Sequence, residues 1–276
     1  MNIKNLLLRS ISGIVYIGLI IGSIFWGVLP FKILMALFGI IATIELNNLL
    51  GDKENNRQLV LPRILDATGV VCIIFMGRLW AIYLWLFVFL IRLIAELYLH
   101  NDKPVKSLSQ FFFSQIYIGF PLLCAALIGA HGIHLVLAIF LMIWINDTGA
   151  FIVGCSIGRH RLFERISPKK SWEGFFGGLI FNMGAATLFC VAGNNFWGFE
   201  PNILLWLGLA IIVTVFSTWG DLVESMFKRS LNVKDSGKII PGHGGILDRI
   251  DSLLLVFPAS FLYLLFIYGI LLEIPV

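Results

Sequence analysis

The stretch IHLVLAIFLMIWINDTGAFIV, residues 133–153, decides the fold class of this chain. A helix needs about 20 predominantly apolar residues to cross the hydrocarbon core of a bilayer, and this stretch meets that requirement. Its apolar residues run continuously, which favours a spanning helix over a barrel strand. Asp147 lies within the run, and an ionisable residue at that depth is a candidate functional residue. A hydrogen bond to Thr148 or to a neighbouring helix is the structural alternative.

The rest of the chain is similarly apolar. Of its 276 residues 59% are hydrophobic and 13% are charged, and the mean hydropathy is +0.93. An ordinary soluble domain carries roughly a quarter charged residues. The composition therefore predicts a single integral membrane domain over residues 1–276. The polar motifs described below divide it into an N-terminal multispan part at 1–130 and a motif-bearing part at 131–276, and they make the second a candidate catalytic part.

Nine stretches are candidate membrane spans, which predicts an all-α, polytopic fold. They are 10–29, 31–50, 63–77, 79–99, 111–130, 133–153, 174–192, 202–221 and 252–272. The third is short. The weakly basic N-terminus precedes an apolar run without a clear small-residue cleavage site, so we interpret this run as an uncleaved first span.

Lysine and arginine are distributed unevenly between the predicted connections. Seventeen lie on one side, two (Lys32 and Arg78) lie on the other, and Arg92 lies within a span. Because basic connections stay in the cytoplasm, this bias predicts a cytoplasmic N-terminus and a polar cavity that faces the cytoplasm. The net charge of +4 suits anionic headgroups or an anionic soluble substrate. Nothing in the pattern indicates nucleic-acid binding.

Three aspartates stand out in the connections predicted to be cytoplasmic. Asp221 ends the eighth span, and Asp248 and Asp251 are three residues apart before the last span, a spacing that puts two side chains on one face of a helix. Two carboxylates so close repel each other unless a cation lies between them. Helix capping is the alternative, but it explains one carboxylate better than two. The isolated acids Glu45, Asp66 and Glu96 are expected to cap helices or to pair locally.

A glycine-rich segment, PGHGG at 241–245, precedes the Asp248 pair. Glycines let backbone N–H groups approach phosphate oxygens, and His243 has the chemistry to donate to a phosphate or to bind a metal. With acids on one side and basic residues on the other, the segment favours a Mg²⁺–polyphosphate site, since Mg²⁺ takes one or two carboxylates plus substrate phosphates. The SPKK run at 167–170 offers further cations, and a positive-inside anchor explains that run equally well.

These motifs resemble those of one enzyme family. SMFKRSLNVKDSGKIIPGHGGILDRID, residues 225–251, resembles the signature of phosphatidate cytidylyltransferases, also called CDP-diglyceride synthases. NDTGAF, GRHRL, SPKKSWEG and STWGD are similar to further family motifs, so the resemblance is strongest from about 140 to 252. It implies an enzyme that joins CTP and phosphatidate to give CDP-diacylglycerol and pyrophosphate with Mg²⁺, and a helical membrane fold that forms a homodimer.

The resemblance assigns roles to residues of this chain. Asp221, Asp248 and Asp251 are expected to be catalytic and to hold Mg²⁺, with a second cation left open, and Lys170 is expected to be catalytic. The residues expected to bind substrate are Asp147, Lys169, Ser171, Ser217, Lys228, Arg229, Lys234, Asp235, Lys238, His243, Gly244, Gly245 and Arg249. The expected partners are CTP and phosphatidate of the inner leaflet, and the expected location is the cell inner (plasma) membrane.

Two other functions remain open at this point. A CTP-dependent lipid-alcohol kinase would share metal and nucleotide and differ in its acceptor. A divalent-cation or anion transporter would use Asp147, Asp221 and Asp248 to line a path. Transporters place their binding groups near the middle of the membrane, whereas these polar residues crowd one end of the spans, which counts against transport.

Overall fold

The protein is nearly all helical, as the sequence predicts. A computed structural model describes residues 3–51, 60–99, 101–193, 196–198, 202–237, 239 and 244–268. The first part of the chain forms α1 (Ile3–Trp26), α2 (Val28–Leu50), α3 (Val60–Ile74), α4 (Leu79–Tyr98), α5 (Pro104–Ser114) and α6 (Phe120–His131). A single π-helical turn, Gln115–Gly119, joins α5 to α6. Pro104 opens α5, where a missing N–H costs nothing.

The second part adds five helices and one small hairpin. The helices are α7 (Ile133–Ile157), α8 (Trp172–Ala192), α9 (Ile203–Ser230), α10 (Leu247–Ile250) and α11 (Leu253–Tyr268). The strands β1 (Arg161–Phe163) and β2 (Ser167–Ser171) pair antiparallel, with Arg161 opposite Ser171 and Phe163 opposite Ser167. The sequence interpretation did not include this hairpin.

Seven helical segments of the described chain are long and apolar enough to cross a membrane. They are Val28–Leu50, Leu79–Tyr98, Pro104–His131, Ile133–Ile157, Trp172–Ala192, Ile203–Ser230 and Leu247–Ile267. The predicted count of nine is not confirmed among the described residues; α3, at the third predicted span, has only 15 residues. The chain is therefore a multi-pass membrane protein whose third predicted span is shorter than the bilayer rule requires.

The structure divides into two compact units. One unit extends to Leu127 and also contains Asp235–Ile250, and the other contains Ile128–Lys234 and continues from Asp251. The first boundary lies close to the predicted division at residue 130. The segment Asp235–Ile250, which the sequence interpretation placed in the catalytic part, belongs to the same unit as α2.

A buried ionic network holds the first unit together. Arg92, which is 1% exposed, donates from Nε to Asp66 Oδ1 at 3.0 Å and from Nη1 to Glu96 Oε2 at 2.5 Å. Asn47 donates to the second oxygen of Asp66 at 2.8 Å, and Ser107 donates to Glu96 at 3.0 Å. Buried charges persist only when they are paired in this way. The expectation that Asp66 and Glu96 pair locally is confirmed.

In the second unit, glycines let α7 and α8 approach closely. A side chain at Gly149 would collide with the ring of Phe181, and one at Gly177 would collide with Val153. Small residues at a helix interface are the usual means of close packing in membranes. This contact fixes the position of the α7 segment that carries Asp147.

Candidate active site

A polar cavity lies in the second unit, at the predicted cytoplasmic ends of three helices and beside the hairpin. Its volume is about 280 Å³, near the lower end of the range for small-molecule sites, so it accommodates part of a nucleotide-sized ligand. The lining residues are Asn146, Asp147, Ala150, Phe151, Gly154, Leu162, Lys169, Lys170, Ser171, Gly174, Phe175, Thr218 and Asp221. Five residues that the sequence predicts at the site therefore line one cavity. They are Lys169 and Lys170 of SPKK, the following Ser171, Asp147 of NDTGAF and Asp221 of STWGD.

Lys170 is the central cation of this cavity. Its Nζ lies 2.7 Å from Asp221 Oδ2 and donates to the carbonyl oxygen of Thr218 at 3.2 Å. The side chain is 26% exposed, so the ion pair is partly shielded from water. Ser225, one turn along α9, donates to the other Asp221 oxygen at 3.2 Å. The ammonium and the carboxylate are thus held in place before any substrate binds.

Asp147 and Asp251 complete a cluster of acids around the same ammonium. Asp147 lies within electrostatic range of Lys170 and Asp221, and Asp251 lies within range of Lys170, Asp221 and Lys228. Lys170 therefore pairs directly with Asp221 and partly offsets the negative charge of Asp147 and Asp251. Asp147 lines the cavity, which favours its interpretation as a functional residue over that of a purely structural hydrogen-bond partner.

The chain around Asp251 departs from the expected helix. The turn α10 ends at Ile250, Asp251 and Ser252 form a turn, and α11 starts at Leu253. Asp251 Oδ1 accepts from the Ser252 N–H at 2.6 Å, which interrupts the helical pattern. Asp248 therefore lies in α10 and Asp251 in the turn that follows it, and the expectation that their side chains share one face of a helix stays a prediction. Gly220 allows this turn to pack directly on α9, because a side chain there would collide with the backbone of Asp251 and Ser252.

The hairpin carries Lys169 and Lys170 and is anchored at both ends. Glu173, in the first turn of α8, accepts from the backbone N–H groups of Arg159 at 3.1 Å and His160 at 3.2 Å. His160 Nδ1 lies 2.6 Å from the same carboxylate. Ser171 caps α8 by accepting from Gly174 N at 3.1 Å. In this structure Ser171 is a cap at the cavity wall.

Asp248 lies in the first unit, where Ser236 and Gly245 donate hydrogen bonds to its carboxylate. Its Oδ2 accepts from Ser236 N at 2.9 Å, from Ser236 Oγ at 2.9 Å and from Gly245 N at 2.8 Å. Gly244 has a φ of +83°, a conformation that favours glycine, and a side chain there would meet the Asp248 carboxylate. The N–H of Gly245 is therefore directed at Asp248, whereas the sequence interpretation directed it at a substrate phosphate.

The remaining predicted residues lie in varied settings. Ser217 is 1% exposed and accepts a long contact of 3.5 Å from Asn146 Nδ2. Lys228 pairs with Glu224 one turn earlier, and Arg229 donates to the carbonyl of Val233 at 3.4 Å. Arg229, Lys234, Asp235 and Arg249 are exposed, and Lys238 and His243 lie outside the described residues.

Carboxylate and carbonyl oxygens are the ligands that Mg²⁺ prefers. Asp221, Asp251 and the Thr218 carbonyl supply such oxygens in the second unit, so the donor chemistry fits this ion. Within the described ranges, no three His, Cys, Asp or Glu side chains form a group that could hold a metal ion by itself. A Mg²⁺ ion here would need oxygens of a substrate or of water. The ligand set of Asp221, Asp248 and Asp251 stays a prediction.

The sequence analysis missed Asn146 as a cavity residue and missed the distant partners of Glu45. Asn146 is 2% exposed and lines the cavity, and its Oδ1 has no hydrogen-bond partner among the described residues. Its position next to Asp147 in NDTGAF was the available signal. Glu45 is 3% exposed and accepts from the backbone N–H groups of Ile246 and Leu247, which confirms that it caps a helix start. Its partners lie about 200 residues away, so no local pattern indicates them.

The fold and the cavity together define a class: a multi-pass membrane protein with a cluster of acids around a lysine at one end of its helices. The pattern that describes the Cytidylyltransferase family matches residues 7–267, and the chain belongs to that family. Its relatives include the phosphatidate cytidylyltransferase of Staphylococcus aureus (strain COL), which is 36% identical over 235 residues, 82% of this chain and 87% of the relative. The protein of that name from Staphylococcus epidermidis is 33% identical over 259 residues, 91% of this chain and 95% of the relative. The one from Staphylococcus haemolyticus is 42% identical over 174 residues, 60% of this chain and 65% of the relative.

Proposed function

We propose that this protein transfers the cytidylyl group of CTP to phosphatidate, which yields CDP-diacylglycerol and pyrophosphate. The observation that carries the proposal is the Lys170–Asp221 pair in a charged cavity of a membrane-spanning protein that belongs to the Cytidylyltransferase family. A lipid substrate requires a site beside the bilayer, and a nucleoside triphosphate requires one that is charged and polar.

The reaction is a substitution at phosphorus. An oxygen of the phosphatidate phosphate forms a bond to the α-phosphorus of CTP, the bond from that phosphorus to the bridging oxygen of the leaving group breaks, and pyrophosphate departs with the electron pair. The attacking oxygen is already anionic, so the step needs little help from a general base. The main obstacle is repulsion between two anions, which cationic groups offset.

Residues of the cavity supply cationic groups that offset this repulsion. The ammonium of Lys170 is held at its position by Asp221 and the Thr218 carbonyl, so it is oriented before phosphates enter. Lys169 adds a second positive charge on the same strand, at the cavity wall. Positioned charges of this kind act without reorganisation during the reaction, and holding both substrates in line lowers the barrier further.

Mg²⁺ is the proposed cofactor. Asp221 and Asp251 would hold it together with substrate oxygens, and Asp248 is the third proposed ligand. The bound ion would offset charge that builds on the leaving pyrophosphate. Asp221 also orients Lys170, so it has a role in the arrangement of the cavity that does not depend on the metal.

The proposal also covers the orientation of the cavity, the membrane in which the enzyme lies and its oligomeric state. The uneven distribution of Lys and Arg supports a cavity that opens to the cytoplasm. Bacterial relatives support the plasma membrane as the location, where phosphatidate would enter from the inner leaflet. A homodimer is also proposed. Chemical crosslinking in native membranes tests the assembly, and protease access to the hairpin in oriented vesicles tests the side of the membrane.

The decisive experiment measures pyrophosphate release by purified protein with CTP and phosphatidate, each alone and both together. Release only with both substrates, with CDP-diacylglycerol as the lipid product, is expected. Turnover with a polyprenol in place of phosphatidate would instead identify a lipid-alcohol kinase. Ion flux into sealed vesicles without CTP would identify a transporter.

A further inference from the structure

Glu45 is a buried carboxylate that binds a distant part of the chain. It lies in α2, is 3% exposed and receives three hydrogen bonds. The donors are Ile246 N at 3.1 Å, Leu247 N at 2.9 Å and Ser236 Oγ at 3.3 Å. A buried carboxylate is costly unless it is well hydrogen-bonded. These three bonds fasten the segment Asp235–Ile250 to α2.

Two glycines let the segment come this close. A side chain at Gly237 or at Gly245 would occupy the space of the Glu45 carboxylate. The backbone of the segment therefore contacts the carboxylate directly on two sides. Gly245, one of the glycines that the sequence interpretation assigned to a phosphate, has a structural reason in this contact, since it approaches Glu45 and donates to Asp248.

Glu45 and Asp248 accept hydrogen bonds from the same two parts of the chain, Ser236 and Gly245–Leu247. Ser236, which is 6% exposed, contacts Asp248 Oδ2 through both its N–H and its hydroxyl, and its hydroxyl also contacts Glu45 Oε2. Gly245 donates to Asp248, and the next two residues donate to Glu45. The donors described on Asp248 Oδ2 thus come from two residues. Ser236 also contacts Glu45, and Gly245 precedes Ile246, whose N–H donates to Glu45. Displacement of the Glu45 carboxylate would shift the donors that orient Asp248.

We propose that Glu45 is a positioning residue for Asp248. It holds Ser236 and Gly245 in place and thereby sets the direction of the carboxylate that is proposed to take part in metal binding. This inference rests on the proposed function. It assigns a role in the reaction to the N-terminal multispan part, for which sequence analysis found no family motif.

The test compares Glu45→Gln with Asp66→Asn in the purified, full-length protein. Asp66 is a matched control, because it is a buried acid of the same unit, is 2% exposed, and bonds Arg92 and Asn47 instead of the loop. In Glu45→Gln one of the two backbone donors loses its acceptor. We expect the Mg²⁺ concentration for half-maximal activity to rise about tenfold, the size expected for one lost charged hydrogen bond. Asp66→Asn is expected to lower Tm without this change.

A second readout does not depend on activity. Hydrogen exchange measured by mass spectrometry should be faster at the amides of Ile246 and Leu247 in Glu45→Gln and unchanged there in Asp66→Asn. Glu45→Asp keeps the charge and is expected to recover part of the Mg²⁺ response. If Glu45→Gln does not fold, Ser236→Ala removes the shared hydroxyl and is expected to shift the Mg²⁺ response in the same direction.

The outcomes separate the two proposals. An active wild-type protein whose Glu45→Gln, Glu45→Asp and Ser236→Ala variants keep the wild-type Mg²⁺ response overturns the positioning role and leaves the proposed function intact. An equal shift in Asp66→Asn also overturns it, because the effect would then follow from lost stability alone. Wild-type protein that releases no pyrophosphate from CTP and phosphatidate overturns the proposed function, and the role of Glu45 falls with it.

Discussion

Replacement of Lys170 by methionine is the sharpest test of the cavity. The substitution keeps an unbranched side chain of similar size and removes the ammonium that lies 2.7 Å from Asp221 Oδ2. Asp147, Asp221 and Asp251, which lie within electrostatic range of Lys170, would then lack that positive charge. The resulting negative field repels the phosphates of an incoming substrate.

The magnitude follows from the setting of this lysine. A hydrogen bond to a charged group contributes about 1.5–3 kcal/mol, which corresponds to roughly 10- to 150-fold in an apparent binding constant. Lys170 and Asp221 are 26% and 37% exposed, so water screens part of the interaction. The expected effect therefore lies toward the lower end, about 10- to 30-fold in KM for one anionic substrate.

The assay is pyrophosphate release with CTP and phosphatidate varied in turn. Arg165→Gln is the control, since it removes one positive charge from an exposed position of the chain that joins β1 to β2. We expect Lys170→Met to raise KM while Arg165→Gln changes it little. Equal KM values in the two variants, or a loss confined to kcat, would refute the reasoning.

Three further predictions concern other parts of the molecule. Asp248→Asn should abolish product formation while the thermal unfolding of the protein stays cooperative; turnover at the wild-type rate would contradict a role in metal binding. Arg92→Met leaves Asp66 and Glu96 buried without their cation, so the free energy of unfolding in detergent should fall by about 3–5 kcal/mol. A fall of under about 1 kcal/mol would show that the network contributes little. Glu173→Gln weakens the anchor of the hairpin, and trypsin should cut the hairpin faster than in wild type; equal cutting rates would argue against that anchor.

The sequence was a good guide to the spans and to the cavity in the second unit. Length and apolarity predict helices because each spanning helix satisfies its own backbone hydrogen bonds. SPKK, NDTGAF and STWGD predicted residues that line one cavity, because each motif lies at the predicted cytoplasmic end of a helix or beside one.

What the sequence did not reveal depended on contacts between distant residues or on short turns. Glu45 looked like an isolated acid because its donors lie 191 to 202 residues later in the chain. The turn at Asp251 replaced a continuous helix because one side-chain hydrogen bond to the next amide interrupted it. The hairpin is only three and five residues per strand, too short for an alternating pattern to stand out in a basic connection.

The insertion of Asp235–Ile250 into the first unit has a consequence for how the protein is made. Ribosomes synthesise α2 long before they reach Ile246, which follows Glu45 by 201 residues. Throughout that interval Glu45 lacks the amides that later surround it, so the nascent first unit must carry this acid unsatisfied or in contact with water. The first unit therefore completes its folding only after nearly the whole chain has been synthesised. A fragment that stops at Leu127 would lack the backbone donors that bind Glu45.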